Sequence, residues 1–306
     1  MVHRSSMKSA VGDWALLVVP GVIWGASFLF IAEGLAATAP NGVTFTRILI
    51  GFLTLSLFPS ARRPVARADW AGTAALGVLW FAFPLSMFPF AEQHVSSALT
   101  GMLNGATPLF VAAVAGLLAG QVPGRGTLAG LVVGFGGAVV MALPALGGST
   151  SAFGVSLIVA ALVSYGLALN VARPLQQRNG AIPVVWRALG VALILTAPLG
   201  LPAVLNGSWS LRPALAMLGL GAGGTAIATI LTATAAGRLG VTKASVSAFI
   251  IPVVALILGV VIRHEHVTLV SIAGAAICLV GAAILRDPAM FAGWLPRRLV
   301  GVRARV

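Results

Sequence analysis

Charge is scarce in this chain. Only 8% of its 306 residues are charged, and the acids number six: Asp13, Glu33, Asp69, Glu92, Glu265 and Asp287. Soluble globular proteins carry about 25% charged residues. With 59% hydrophobic residues and a mean hydropathy of +1.04, the surplus apolar surface has to face lipid. An intramembrane transferase needs clustered acids for Mg²⁺ or a nucleophile–base pair. The chain has no acid-rich loop, and His94, His264 and His266 lack a metal-ligand spacing. No enzyme activity and no cofactor are expected. A single cysteine, Cys278, excludes an intramolecular disulfide, so helix packing has to hold the fold. No polar linker or soluble domain interrupts the apolar segments.

Positive charge is present, at a formal +13, but it forms no patch of the kind that binds nucleic acid. The basic residues lie between apolar segments and in the last twenty residues. About 20 helical residues cross the hydrocarbon, and ten such segments fit: 13–34, 39–58, 69–91, 95–119, 126–145, 153–171, 182–203, 214–235, 242–262 and 267–286. With the N-terminus inside, 15 of the 19 basic residues fall in cytoplasmic segments. Only Arg212 and Arg263 fall in external loops, and Arg47 and Arg187 fall within segments. The positive-inside rule is thereby met. The expected fold is an all-α polytopic membrane protein in a lipid bilayer, with both termini cytoplasmic.

Pro108, Gln121, Gly130 and Gly137 recur 144 positions later as Pro252, Glu265, Gly274 and Gly281. A repeat this long divides the chain into residues 1–147, residues 148–290 and a basic tail, 291–306. Five segments per half is an odd number, so the second half must be inverted relative to the first. Inverted repeats place a substrate site near the bilayer midplane, around a central cavity between the halves. Such a unit is complete alone, and a monomer is expected.

Several residues are candidates for that site. Arg47 lies about 12 Å deep at 1.5 Å per residue. An arginine there costs about 2.5–3.5 kcal/mol, so it should face the interior or water. Its guanidinium either pairs with a substrate carboxylate or ties two helices together. Trp14, Trp70, Trp209 and Trp294 lie at segment ends or in a flanking segment, as interfacial anchors do. Trp24 and Trp80 lie near midsegment instead. Ser27, Phe83, Asn104, Thr107, Ser164 and Tyr165 share that depth. Thr225, Thr229 and Thr232, at i, i+4 and i+7, form one polar stripe. An aromatic-walled cavity with few charges suits a neutral or zwitterionic solute. Pro108 and Pro252 each remove a backbone donor, and equivalent kinks are expected to open and close the cavity. Gly219-Leu-Gly221-Ala-Gly-Gly224 matches a dinucleotide fingerprint but lacks the strand that motif requires. No carboxylate sits at a segment centre, so proton coupling is not indicated.

Trp24-Gly25-Ala26-Ser27-Phe28, Pro40 with Arg47, Pro108-Leu109, Pro252-Val253 and the paired glycines together resemble the drug/metabolite transporter superfamily, and within it the EamA-type exporters. The family's Gly-Glu ending of two helices is present only as Gly120-Gln121 and His264-Glu265. The resemblance covers nearly the whole chain. It implies ten helices and export of small metabolites, often amino acids, from a bacterium through its inner membrane. Drugs, nucleosides or vitamins are the alternative cargo on the same fold.

Overall fold

The computed structural model describes residues 2–120, 124–145, 149–239 and 247–286. In chain order the helices are α1 Val2–Leu35, α2 Pro40–Ser56, α3 Arg67–Glu92, α4 Ser97–Ala119, α5 Arg125–Ala145, α6 Ser149–Asn179, α7 Ala181–Leu205, α8 Leu211–Leu239, α9 Ser247–Arg263 and α10 Leu269–Arg286. No strand occurs among the described residues. Eight of these helices are long and apolar enough to cross a membrane. α2 and α9 have 17 residues each, about 25 Å of helix. The outer surface is apolar: Leu117 is 80% exposed, Ile194 74% and Leu269 83%. Apolar patches that extensive belong against lipid. The protein is an all-helical, multi-pass membrane protein.

The helix ends follow local chemistry. Pro40 occupies the first turn of α2, where its missing N–H is not needed. Ser96 caps α4 by accepting from the Leu99 N–H at 3.2 Å. Gly120 ends α4 in the left-handed conformation, at φ 60°. His264 follows α9 at φ 53°, the one non-glycine with positive φ among the described residues. These two positions are 144 apart.

α5 and α10 pack along a seam of glycines. A Cβ added to Gly130 would lie 3.0 Å from the Gly281 carbonyl oxygen, and one on Gly281 would lie 2.8 Å from that of Gly130. Gly137 and Gly274 show the same reciprocity, at 2.8 Å in both directions. Small residues let two backbones approach this closely in a membrane. The contacts cross over, 130 with 281 and 137 with 274, so the two helices run antiparallel.

The remaining packing is paired in the same way: α1 lies against α9 and α6 against α4, while α2 lies against α8 and α7 against α3. One apolar core joins Phe28, Phe88, Leu103, Leu109, Ile158 and Met217; a second joins Ile48, Leu55, Leu76, Val185 and Leu189.

Two expectations need correction. α6 runs past the predicted end at 171 to Asn179, because Arg178 and Asn179 anchor its last turn on Asp69, at 2.6 Å each. The prolines do not act alike. α4 is interrupted at Gly105 and Ala106 and restarts with Pro108 in its first turn, whereas α9 runs through Pro252 from Ser247 to Arg263. Pro108 withholds the N–H that the Asn104 carbonyl would receive, and the Thr107 hydroxyl donates to that carbonyl at 2.6 Å instead. Gln121, Asp287 and the basic tail lie outside the described residues.

Candidate functional site

Two π-helical stretches shape the interior: Gly77–Ala82 in α3 and Gly219–Ile227 in α8. The wider turn shifts one backbone bond by a residue and frees a carbonyl. In α3 the Phe83 N–H reaches Val78 O, leaving Leu79 O without its usual donor. The Ser164 hydroxyl of α6 donates to it at 2.7 Å. In α8 the Ala228 N–H reaches Gly223 O, which frees Gly224 O, and the Trp24 indole N–H of α1 donates to that oxygen at 2.8 Å. An unmet buried carbonyl costs about 1–3 kcal/mol, so each π turn depends on a side chain from a neighbouring helix. The glycine run that resembled a nucleotide fingerprint is this second π turn.

Arg47 lies beside it. Its side chain is buried and its Nε donates to Thr225 Oγ1 at 3.0 Å. Thr225 in turn donates to Leu220 O at 3.3 Å, and Thr229 donates to Thr225 O at 2.8 Å. A Cβ on Gly224 would meet Ser27 Oγ at 2.8 Å and Arg47 Nη2 at 3.8 Å, so the missing side chain lets Ser27 and the guanidinium approach the α8 backbone closely. Ser27 itself donates to Ile23 O. Tyr165 and Glu92 are the electrostatic neighbours of Arg47. Tyr165 also closes an aromatic series, 5.9 Å from Phe88, which lies 5.7 Å from Phe28.

The structure therefore brings Arg47, Trp24, Ser27 and Thr225 together, with Thr229 one turn on and Tyr165 opposite. Trp80 packs in the second core, beside Phe81. Phe83 points away from the group and is 40% exposed. Thr232 does not continue the stripe through a hydrogen bond; its hydroxyl is buried without a partner. Arg187 is held by Ala61 O and Pro183 O, each at 3.2 Å, and lies over Trp70 and Trp186.

Ion pairs close both ends of the bundle. At one end Glu33 of α1 takes Arg212 of α8 at 2.7 Å and Arg263 of α9 at 3.1 Å. At the other, Asp13 meets Arg238 at 2.8 Å and Asp69 meets Arg178 at 2.6 Å. Each of these pairs joins residues 1–147 to residues 148–290. Two pockets, of about 440 and 460 Å³, open at the Glu33 end, and none of the predicted site residues lines either. The Arg47 group is packed and closed in this conformation.

Two features escaped sequence reasoning. Glu265 caps α4: its carboxylate accepts from Ser97 N at 3.1 Å, Ser97 Oγ at 2.7 Å and Ala98 N at 2.8 Å. Glu92 is buried at both carboxylate oxygens with no hydrogen-bond partner. A glutamate at a segment end looks solvated in sequence, and only the packing reveals otherwise.

Comparison with known proteins fits this geometry. The sequence model of the EamA-like transporter family matches residues 13–143 and again residues 152–286. The chain is 27% identical over 289 residues to a "Probable terminal-alkyne amino-acid exporter" of Streptantibioticus cattleyicolor, covering 91% of this chain and 94% of that one. It is 21% identical to an "Uncharacterized transporter" of Archaeoglobus fulgidus, covering 89% and 98%. A crystal structure with 20% sequence identity superposes with a TM-score of 0.59 over 95% of this chain and 99% of that one, which shows a shared fold. The chain belongs to the EamA-like transporter family.

Proposed function

We propose that the protein is a carrier, not an enzyme, that exports amino acids by alternating access. The observation that carries this reading is the placement of Arg47: a buried guanidinium, oriented by Thr225 from the other half of the chain. A planar fork of donors suits a carboxylate. Trp24, Ser27, Thr225, Thr229 and Tyr165 form the surrounding wall, with Asn104 beside the break in α4 as a further contact once the bundle opens. The similarity to a probable amino-acid exporter supports the same solute class.

In this reading the ten helices span the membrane as two inverted repeats, residues 1–147 and 148–290. The reciprocal glycine contacts of α5 and α10 support the inversion, because a two-fold axis exchanges the pair 130–281 with the pair 274–137. The basic residues put both termini in the cytoplasm, the Asp69 end inside and the Glu33 end outside. The membrane is a bacterial inner membrane, and one chain suffices. Breaking the Glu33 pairs opens one face, breaking the Asp13 and Asp69 pairs opens the other, and the break at Pro108 with the proline at 252 gives α4 and α9 their freedom to bend.

Arg47→Ala tests the reading in proteoliposomes. Exchange of a labelled amino acid should fall by about 10- to 100-fold, the value of a lost charge-assisted contact. Exchange of the corresponding amide, which lacks the carboxylate, should change far less. Equal losses for both would make Arg47 a structural tie and remove the carboxylate from the account.

A further inference from the structure

Among the described acidic residues, Asp13, Glu33, Asp69 and Glu265 all have cationic partners. Glu92 has none: both oxygens are buried and neither accepts a hydrogen bond. It is the last residue of α3, where the helix dipole also disfavours negative charge. A bare carboxylate buried in this way costs several kcal/mol, so the group has to hold a cation or a proton. A metal ion would need several further ligands, and no cluster of acidic, histidine or cysteine side chains that could hold one exists among the described residues, so the proton is the fit.

The surroundings say how that changes. Arg47 from α2, Arg263 at the end of α9 and Glu265 just after it are the charged groups acting on Glu92. Tyr165 faces from α6 through Arg47 and Phe88, and α4 brings no titratable residue between Ser97 and Ala119. On α1, Glu33 is already held by Arg212 and Arg263. His94, two residues on, packs its ring against Phe153. Glu92 also borders the pocket of about 460 Å³, together with Ala32, Leu35, Gln93 and Arg263. Opening the Glu33–Arg263 contact would therefore bring water to the carboxyl group.

We propose that Glu92 is the proton site of the transport cycle and that a proton and the solute's ammonium group exclude one another there. From the cytoplasmic side, an arriving ammonium group pairs with the carboxylate, and the O–H proton leaves to the cytoplasm. From the outer side, a proton from the medium restores the carboxyl group and the ammonium group leaves. One proton enters for each solute exported, and no other reactant is consumed. The ammonium part of this proposal rests on the amino-acid reading above, whereas the proton part does not.

Two measurements test it. The first is infrared titration of the purified protein, with no transport involved. A buried carboxylic-acid band should be present in the wild type, absent in Glu92→Gln, shifted in Glu92→Asp, and lost when an exchanged amino acid is added. Absence of the band in the wild type, or its persistence in Glu92→Gln, overturns the proton site. The second uses proteoliposomes with an acidic interior and a clamped membrane potential. One proton per solute supports up to about tenfold accumulation per pH unit. The wild type should reach that level, while Glu92→Gln, which can neither release a proton nor pair with the ammonium group, folds by size exclusion but exchanges more weakly and accumulates nothing. Equal accumulation by both proteins refutes the coupling. If no amino acid is exchanged but the band titrates as described, the solute assignment fails and the proton site stands.

Discussion

Gly77 of α3 packs against α7, where an added Cβ would lie 2.8 Å from the Ala188 carbonyl oxygen and 2.8 Å from the Val191 Cβ. Gly221 of α8 packs against Arg47 of α2, where an added Cβ would lie 2.9 Å from the arginine carbonyl oxygen. The two glycines are 144 residues apart, and each meets a carbonyl oxygen of its neighbour helix and the Cβ three residues on, Val191 in the first case and Ile50 in the second. The backbone arrangement is the same in both places, yet where one half presents alanine at the carbonyl position the other presents arginine. The π turns behave alike too: Ser164 satisfies the first and Trp24 the second. The scaffold repeats, and the chemistry is concentrated where α1, α2 and α8 meet. In the proposed mechanism, this repeated frame rocks about the one asymmetric group.

The comparison breaks most severely at the α5–α10 seam. Gly137→Leu forces a side chain into the Gly274 backbone and should abolish folded protein in detergent, or lower its stability by well over the ~1–3 kcal/mol of ordinary overpacking. Gly136→Leu, one residue away with open space around it, should be tolerated, as size-exclusion profiles of the two variants will show. Similar behaviour of both would mean that the seam is not a close backbone contact.

The next largest effect separates scaffold from site. Trp24→Phe and Ser164→Ala each remove the donor to a freed π-turn carbonyl, and each should cost about 1–3 kcal/mol in thermal or denaturant unfolding. Only Trp24→Phe should also reduce solute exchange, because Trp24 belongs to the Arg47 group. Matching transport losses would assign both residues to the scaffold.

The smallest effect compares the ends of α4 and α9. His264 holds the left-handed conformation that Gly120 occupies in the other half. That conformation costs an L-residue about 1–2 kcal/mol, and the greater entropy of an unfolded glycine offsets part of the relief. His264→Gly should therefore raise stability by up to about 1 kcal/mol, with exchange unchanged. A loss of stability would show that the imidazole makes a contact worth more than the strain.

Much of this was legible in the chain. Long apolar runs and spaced basic residues gave the helices to within a few residues in most places, since lipid imposes one solution on the backbone. Arg47 stood out because an arginine at that depth needs an interior partner, and Thr225 stood out on a polar stripe, but that the two meet came only from the structure. Trp24 was legible as a midmembrane residue, although its hydrogen bond was not. That bond exists because α8 adopts a π turn, and nothing in Gly219–Gly224 distinguishes a π turn from a flexible α-helix. The different fates of Pro108 and Pro252 were equally hidden: identical residues at matching positions give a break in α4 and an unbroken α9. Glu92 was read only as one of the acids that lie away from the segment centres. The burial of its oxygens is set by packing from other helices, which a single chain position does not reveal.

The measurement that tests the central claim most directly is counterflow in proteoliposomes with a panel of labelled amino acids, run beside nucleosides and cationic dyes. The account predicts saturable exchange of amino acids that an excess of unlabelled solute on the opposite side accelerates. Flux that rises linearly without exchange, or exchange confined to dyes or nucleosides, would contradict it.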